Sequence, residues 1–159
     1  MSMAERFDTA QICLNGHDSN PYSDSQPQFN EVHCKHCGER TITQCEACNT
    51  KIRGHYLGHF SLNFDVPKFC HQCGKPYPWT EKSLSAAHEY ADLVENLSGE
   101  ERLQLKTDVG DLVKESPRTA VAAARFKKLA AKAGKGTLEV FRSILTDILS
   151  EAVKKTIWP

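Results

Sequence analysis

The chain has no cysteine after Cys73, no apolar run approaching ~18 residues, and no excess of either charge. Each absence excludes something. Without a long apolar run, no transmembrane helix is expected. The N-terminus, MSMAERFDTAQ, lacks a basic head followed by an apolar core, so no secretory signal is expected and the chain is read as cytoplasmic. Twenty Lys+Arg balance twenty Asp+Glu over 159 residues. That balance argues against an obligate polyanion binder while leaving room for a local basic patch. Gly-x-Ser-x-Gly, a phosphate-cradling glycine loop and His-Glu-x-x-His are all missing, so no catalytic residue is assigned and an enzyme is not expected. The end of the cysteines places a boundary near Thr80, dividing the chain into 1–79 and 80–159.

What is there begins with seven cysteines, at 13, 34, 37, 45, 48, 70 and 73. An odd count in a reducing compartment fits metal ligation better than disulfides. Residues 1–79 are rich in Asn, Gly, Pro, Ser and His, and their β-like runs, Thr41–Thr43 and Phe60–Phe64, are too short to bury a useful core. Structural zinc can supply roughly 10–16 kcal/mol of apparent binding free energy to such a segment.

Four half-sites follow: Cys13-x-x-x-His17, Cys34-x-x-Cys37, Cys45-x-x-Cys48 and Cys70-x-x-Cys73. Two residues between ligands make a tight knuckle, which favours a following residue able to take positive φ. Gly38, Asn49 and Gly74 stand at those places, and Gly16 precedes His17. Eight ligands make two four-coordinate sites with no open position, the habit of structural zinc. Iron is the less favoured occupant, and buried free thiols are the bland alternative. His17 is the weakest ligand, and His33, His36 and His71 are possible substitutes beside the knuckles.

The pairing rests on turns. Glu39–Thr43 would have to reverse the chain if Cys34, Cys37, Cys45 and Cys48 shared one ion, yet it holds three β-branched residues and no turn signal. Residues 18–33 and 49–69 carry the Pro, Gly and Asp of chain reversals. Sequential pairing is therefore expected: Cys13, His17, Cys34 and Cys37 on a first zinc, Cys45, Cys48, Cys70 and Cys73 on a second. Five extended residues at ~3.3 Å each would hold the metals roughly 15 Å apart. A cross-braced arrangement, first half-site with third and second with fourth, stays open.

The elements Ile12-Cys13-Leu14-Asn15-Gly16-His17, Cys34-Lys35-His36-Cys37-Gly38, Ile52-Arg53-Gly54 and Phe69–Trp79 resemble a family of short bacterial zinc-ribbon proteins catalogued only as a domain of unknown function. The likeness runs on through Pro117-Arg118-Thr119 and Ser150–Lys155. It implies zinc sites and a bacterial cytoplasmic setting, and carries no activity with it.

Residues 80–159 read as three or four amphipathic helices. Thr80 is the expected N-cap of a helix to Leu97. Ser98 and Glu101 form a capping box before a second helix. Ser116-Pro117 opens a third, ended by Gly134 and Gly136, and Thr137 opens a last helix whose stripe includes Ile144, Leu145, Ile148, Leu149 and Val153. The fold class is thus a small metal-stapled, β-rich double zinc ribbon followed by an all-α helical hairpin or bundle.

Charge order adds one more signal. Asp92–Glu115 carries seven acids against three bases, and 118–135 carries Arg118, Arg125, Lys127, Lys128, Lys132 and Lys135 with no acid. Either the two helices pair, or the basic one meets phosphate or a partner. The leading expectation is a non-enzymatic zinc-binding adaptor with a protein partner, its ribbon contacting through Arg53, Tyr56, Tyr77 and Trp79. The last helix would serve self-association or docking. A nucleic-acid-binding accessory protein using 118–135 is the alternative, and a redox-switched or iron-binding electron carrier the third. His55 and His59, four apart in a Gly-rich loop, are expected at the surface, and Trp79 is more readily a packing residue than a contact.

Overall fold

Three hairpins of ten residues, each built on a Cys-x-x-Cys pair, frame the N-terminal half of the computed structural model, which describes residues 6–58 and 63–159. In each, the amide four residues after the second cysteine donates to the carbonyl two residues before the first. These bonds join Thr41 to Val32, Ile52 to Thr43 and Tyr77 to Lys68, all at 3.0 Å. The amides of Cys34, Cys45 and Cys70 donate across to Glu39, Thr50 and Lys75 at 2.7, 2.8 and 2.8 Å. Gly38, Asn49 and Gly74 close the knuckles at φ 79°, 61° and 76°, as their positions after the cysteines led us to expect.

Short strands tie the hairpins together. Strand β1 (Phe7–Thr9) pairs antiparallel with β5 (Arg53–Tyr56). β2 (Gln11–Cys13) lies between β3 (Asp18–Asn20) and β4 (Thr41–Ile42), with Ile12 opposite Ile42 and Cys13 opposite Thr41. Residues 60–62 of the other β-like run lie outside the described residues, and Asn63 and Phe64 are in no strand. The core is small: Ala10, Ile12, Ile42, Ile52, Tyr77 and Trp79, with ligand-type Cys45 and Cys70 among them. Gly54 is required there, because a Cβ would lie 2.2 Å from the Pro21 carbonyl oxygen.

The chain divides into two compact units, Met1–Glu81 and Lys82–Pro159. Helix α1 spans Pro78–Leu93 and begins earlier than expected. Pro78 takes the first turn, where its missing N–H costs nothing. Thr80 is consequently no cap: it is fully buried, and its hydroxyl donates to the Lys68 carbonyl at 2.8 Å.

α2 (Gly99–Val113) starts on the expected capping box, with Glu101 N–H to Ser98 Oγ at 3.1 Å and Ser98 N–H to Glu101 Oε1 at 3.0 Å. α3 (Thr119–Ala133) begins two residues after Pro117, since Thr119 Oγ1 first accepts from the Ser116 amide at 2.8 Å. Gly134 and Gly136 follow it at φ 118° and 91°.

The last expected helix is two. α4 (Thr137–Leu145) runs through a 3-10 turn to Leu149, which is extended, and α5 (Glu151–Ile157) restarts on Ser150, whose Oγ accepts from the Val153 amide at 3.3 Å. A side-chain cap at Ser150 offers the backbone an alternative to continuing. The break also turns the stripe inward: Leu145, Ile148, Leu149, Val153 and Ile157 are all buried. Ile144, on the same expected stripe, and Trp158 are half-buried. Phe126, Phe141 and Trp158 pack edge to face at the centre of the unit, and Tyr90 meets Phe141 in the same way.

Candidate metal centres

The hairpins bring eight ligand atoms into two groups, each with all its atoms within 4.8 Å of one another: Cys13, His17, Cys34 and Cys37, then Cys45, Cys48, Cys70 and Cys73. The grouping is sequential, neither shared nor cross-braced. β4, the strut between them, holds Cys37 and Cys45 apart by pairing with β2 instead of folding back.

In the first group the His17 ring joins through Nδ1, which lies 3.4 Å from Cys13 Sγ and 3.5 Å from Cys34 Sγ. The turn that aims it is set by Gly16 at φ 88°, packed so closely on Trp79 that a Cβ would lie 2.9 Å from that side chain. His36 stands beside the group, its ring 5.6 Å from that of His17, and His33 and His71 belong to neither group.

The surroundings of the sulfurs suit thiolates held by a soft cation. Backbone amides of His17, His36 and Gln72 donate to Cys13, Cys34 and Cys70 at 3.3, 3.4 and 3.5 Å. Asn15 Nδ2 donates to Cys37 Sγ at 3.3 Å, and Thr50 Oγ1 lies 3.2 Å from Cys48 Sγ. The Glu39 amide, against burial and with help from Asn15, brings the Cys37 thiol down to about 6. Burial opposes ionisation at Cys70, yet the Cys73 and Gln72 amides bring it to about 6. Burial, joined by the neighbouring sulfurs of its group, pushes Cys13 up to about 11. At Cys73 the Lys75 amide favours the thiolate, but burial and Cys48, Cys70 and Cys45 raise it to about 11.

Crowded thiols thus divide into ready and reluctant members, and a divalent cation would let the reluctant ones ionise. Three thiolates and an imidazole, or four thiolates, fill a tetrahedral ion and leave no position for substrate or water. These groups could hold one metal ion each.

Several expected surface residues sit elsewhere. Tyr77 and Trp79 are buried, stacked on each other at 4.8 Å, with Trp79 Nε1 donating to the Pro67 carbonyl at 2.9 Å, so neither offers a contact surface. Burial, then Cys70, raises the Tyr77 hydroxyl well above its usual range. His55 is also buried, stacked on Tyr22 at 4.8 Å, and His59 lies outside the described residues. Arg53 and Tyr56 remain exposed.

The basic helix is engaged with its neighbour. Arg125 donates to fully buried Asp108 through Nε and Nη2 at 3.0 and 2.7 Å, Arg118 reaches Asp111 at 3.4 Å and Lys132 reaches Glu101 at 2.7 Å. Lys127 caps the Thr156 carbonyl at 3.2 Å. Lys128 and Lys135 are exposed.

Among the described residues, no helix is long and apolar enough to cross a membrane. A family model described as "Uncharacterized protein conserved in bacteria (DUF2321)" matches residues 6–157. No curated protein and no solved structure matches the chain.

Proposed function

We propose that this chain, which belongs to that bacterial family, is a cytoplasmic, non-enzymatic adaptor whose double ribbon carries two zinc ions and recognises a protein partner. The observation that supports it is the completeness of the two four-donor groups. Each has the full ligand count of a structural zinc, with amides aimed at its sulfurs, so the metals would serve the fold and leave the surface free for recognition. Zinc is preferred to iron because one group mixes imidazole with thiolates.

Nucleic-acid binding through 118–135 has less support. Arg118, Arg125 and Lys132 already answer acids of α2, and Arg125 is held on the fully buried Asp108, a pair costly to break.

The test is native mass spectrometry and visible absorbance of the intact chain, followed by affinity capture and electrophoretic shift on DNA and RNA. Expected are two zinc ions, no colour, and a stoichiometric protein complex lost on chelation. A coloured iron protein, or salt-sensitive nucleic-acid binding abolished by neutralising Arg125, Lys127 and Lys128, would overturn the reading.

A further inference from the structure

A cleft of about 550 Å³ opens between β1, β5 and the second hairpin, walled by Phe7, Ile52 and Leu57 on its apolar side and by Lys51, Arg53 and Asp24 on its polar side. We propose that this cleft takes a peptide segment of the partner protein carrying an Asp or Glu side chain beside an aliphatic one. The inference rests on the adaptor reading and names the chemistry its ribbon would recognise.

Three observations carry it. Arg53 is held with its guanidinium 4.7 Å above the Phe7 ring, and it forms no ion pair with a carboxylate among the described residues. A guanidinium resting on an aromatic face gives up none of its N–H donors to the ring's edge, so its planar fork stays available for bidentate capture of a carboxylate.

Lys51, the second cation, is held at 3.1 Å by Asp24, and both side chains are more than half exposed. Such a pair contributes little and exchanges readily, so Lys51 can turn to an incoming acid at small cost.

The polar wall is also preformed. Asp8 is only 4% exposed, and its carboxylate accepts from the amides of Thr9 and Asp24 at 2.7 and 2.9 Å and from Ser25. That buried hub ties β1 to the 24–25 loop before any ligand arrives. A ligand therefore meets a rigid wall and gives up little affinity to ordering it.

The apolar side answers the rest of the segment. Leu57 is 42% exposed beside Phe7, a place for one aliphatic side chain. The volume falls within the ~300–1,000 Å³ of small-ligand sites, room for a few side chains and no more. A nucleic-acid strand fits less well, because Arg53 and Lys51 are only two cations, with the Asp24 carboxylate beside them, against a run of successive phosphates.

The probe is a pair of fluorescein-labelled hexapeptide pools, read by fluorescence anisotropy on the full, metal-loaded chain. One pool has Asp or Glu at its centre among Leu, Ile, Val and Phe; the other has Asn or Gln at the same place. The acidic pool should bind at least about tenfold tighter, and Arg53→Gln should remove that preference. Lys51→Gln should weaken it less, and Asp24→Asn should strengthen it by removing a competing carboxylate. Equal binding of the two pools, or an acidic preference that survives Arg53→Gln, would overturn the proposal. So would displacement of the peptide by oligo-dT with the same Arg53 dependence. Metal content measured on each variant separates the two readings: a two-zinc chain indifferent to the acidic pool refutes this inference alone, and an acidic preference in a chain without two zinc ions refutes the zinc reading alone.

Discussion

The two units of this chain solve the same problem with different materials. The helical unit buries Leu105, Val109, Leu112, Phe126, Phe141, Leu145, Ile148 and Ile157 almost completely, a core that apolar area can stabilise unaided. The ribbon unit buries a core of eight residues, two of which, Cys45 and Cys70, are ligand-type cysteines, and its strands are two to four residues long. Take away the cation and its core becomes a cluster of thiols that repel as they ionise. The difference implies that the first half would depend on the ions its two groups could hold, and the second would not.

The sharpest way to break that contrast is chelation. Stripping the metals should unfold the ribbon, with a loss on the order of 10 kcal/mol of apparent stabilisation, while the helices survive. Backbone NMR of the intact chain checks it: the amides of Cys34, Cys45 and Cys70 should lose dispersion and those of Leu105 and Phe126 should keep it. Parallel loss in both units would erase the distinction.

The reverse experiment is Phe126→Ala, which removes the aromatic hub touching Phe141 and Trp158. It should cost the helical unit about 3–5 kcal/mol in denaturant unfolding and leave two metals bound by mass spectrometry. A smaller local test is Ser98→Ala, which deletes the capping box on α2 and should cost about 1 kcal/mol with metal content unchanged.

The smallest effect is electrostatic. Lys132, then the Ser98 amide, hold the Glu101 carboxyl below its ordinary value of 4.5. Because its folded pKa is depressed, its contribution is present above the unfolded value and disappears as pH falls through the folded one. Glu101→Gln should therefore narrow the gap to wild type in acid, measured as helical-unit stability from pH 7 down to pH 3. An unchanged gap would mean that the pair is fully screened.

Legibility in the sequence followed how local each cause is. A knuckle is decided by six adjacent residues, so the positive φ at Gly38, Asn49 and Gly74 could be read from spacing alone. The capping box is likewise contained within Ser98–Glu101. The grouping of half-sites was harder, yet a β-branched strut without a turn signal sufficed, because β4 had to stay extended.

What escaped depends on contacts far along the chain. Thr80 looked like a cap but serves the Lys68 carbonyl twelve residues back. Tyr77 looked like a surface aromatic, but the third hairpin ends at Tyr77 and folds it into the core beside Trp79, which the sequence presents more readily as a packing residue. The signal for Tyr77 was present in the ten-residue frame shared by Val32–Thr41, Thr43–Ile52 and Lys68–Tyr77, whose closing position is turned toward the hairpin's own opening carbonyl. The break at Leu149–Ser150 was also partly visible, since Ser150 followed by Glu151 is a helix start as well as a helix interior.

The central claim is that two separate ions, each held by consecutive half-sites, build the ribbon. Anomalous diffraction at the zinc edge from crystals of the purified chain tests it most directly. The account predicts two peaks roughly 15 Å apart, the span of five extended residues, one bonded to Cys13, His17, Cys34 and Cys37 and the other to Cys45, Cys48, Cys70 and Cys73. A single peak bonded to Cys34, Cys37, Cys45 and Cys48 would contradict it.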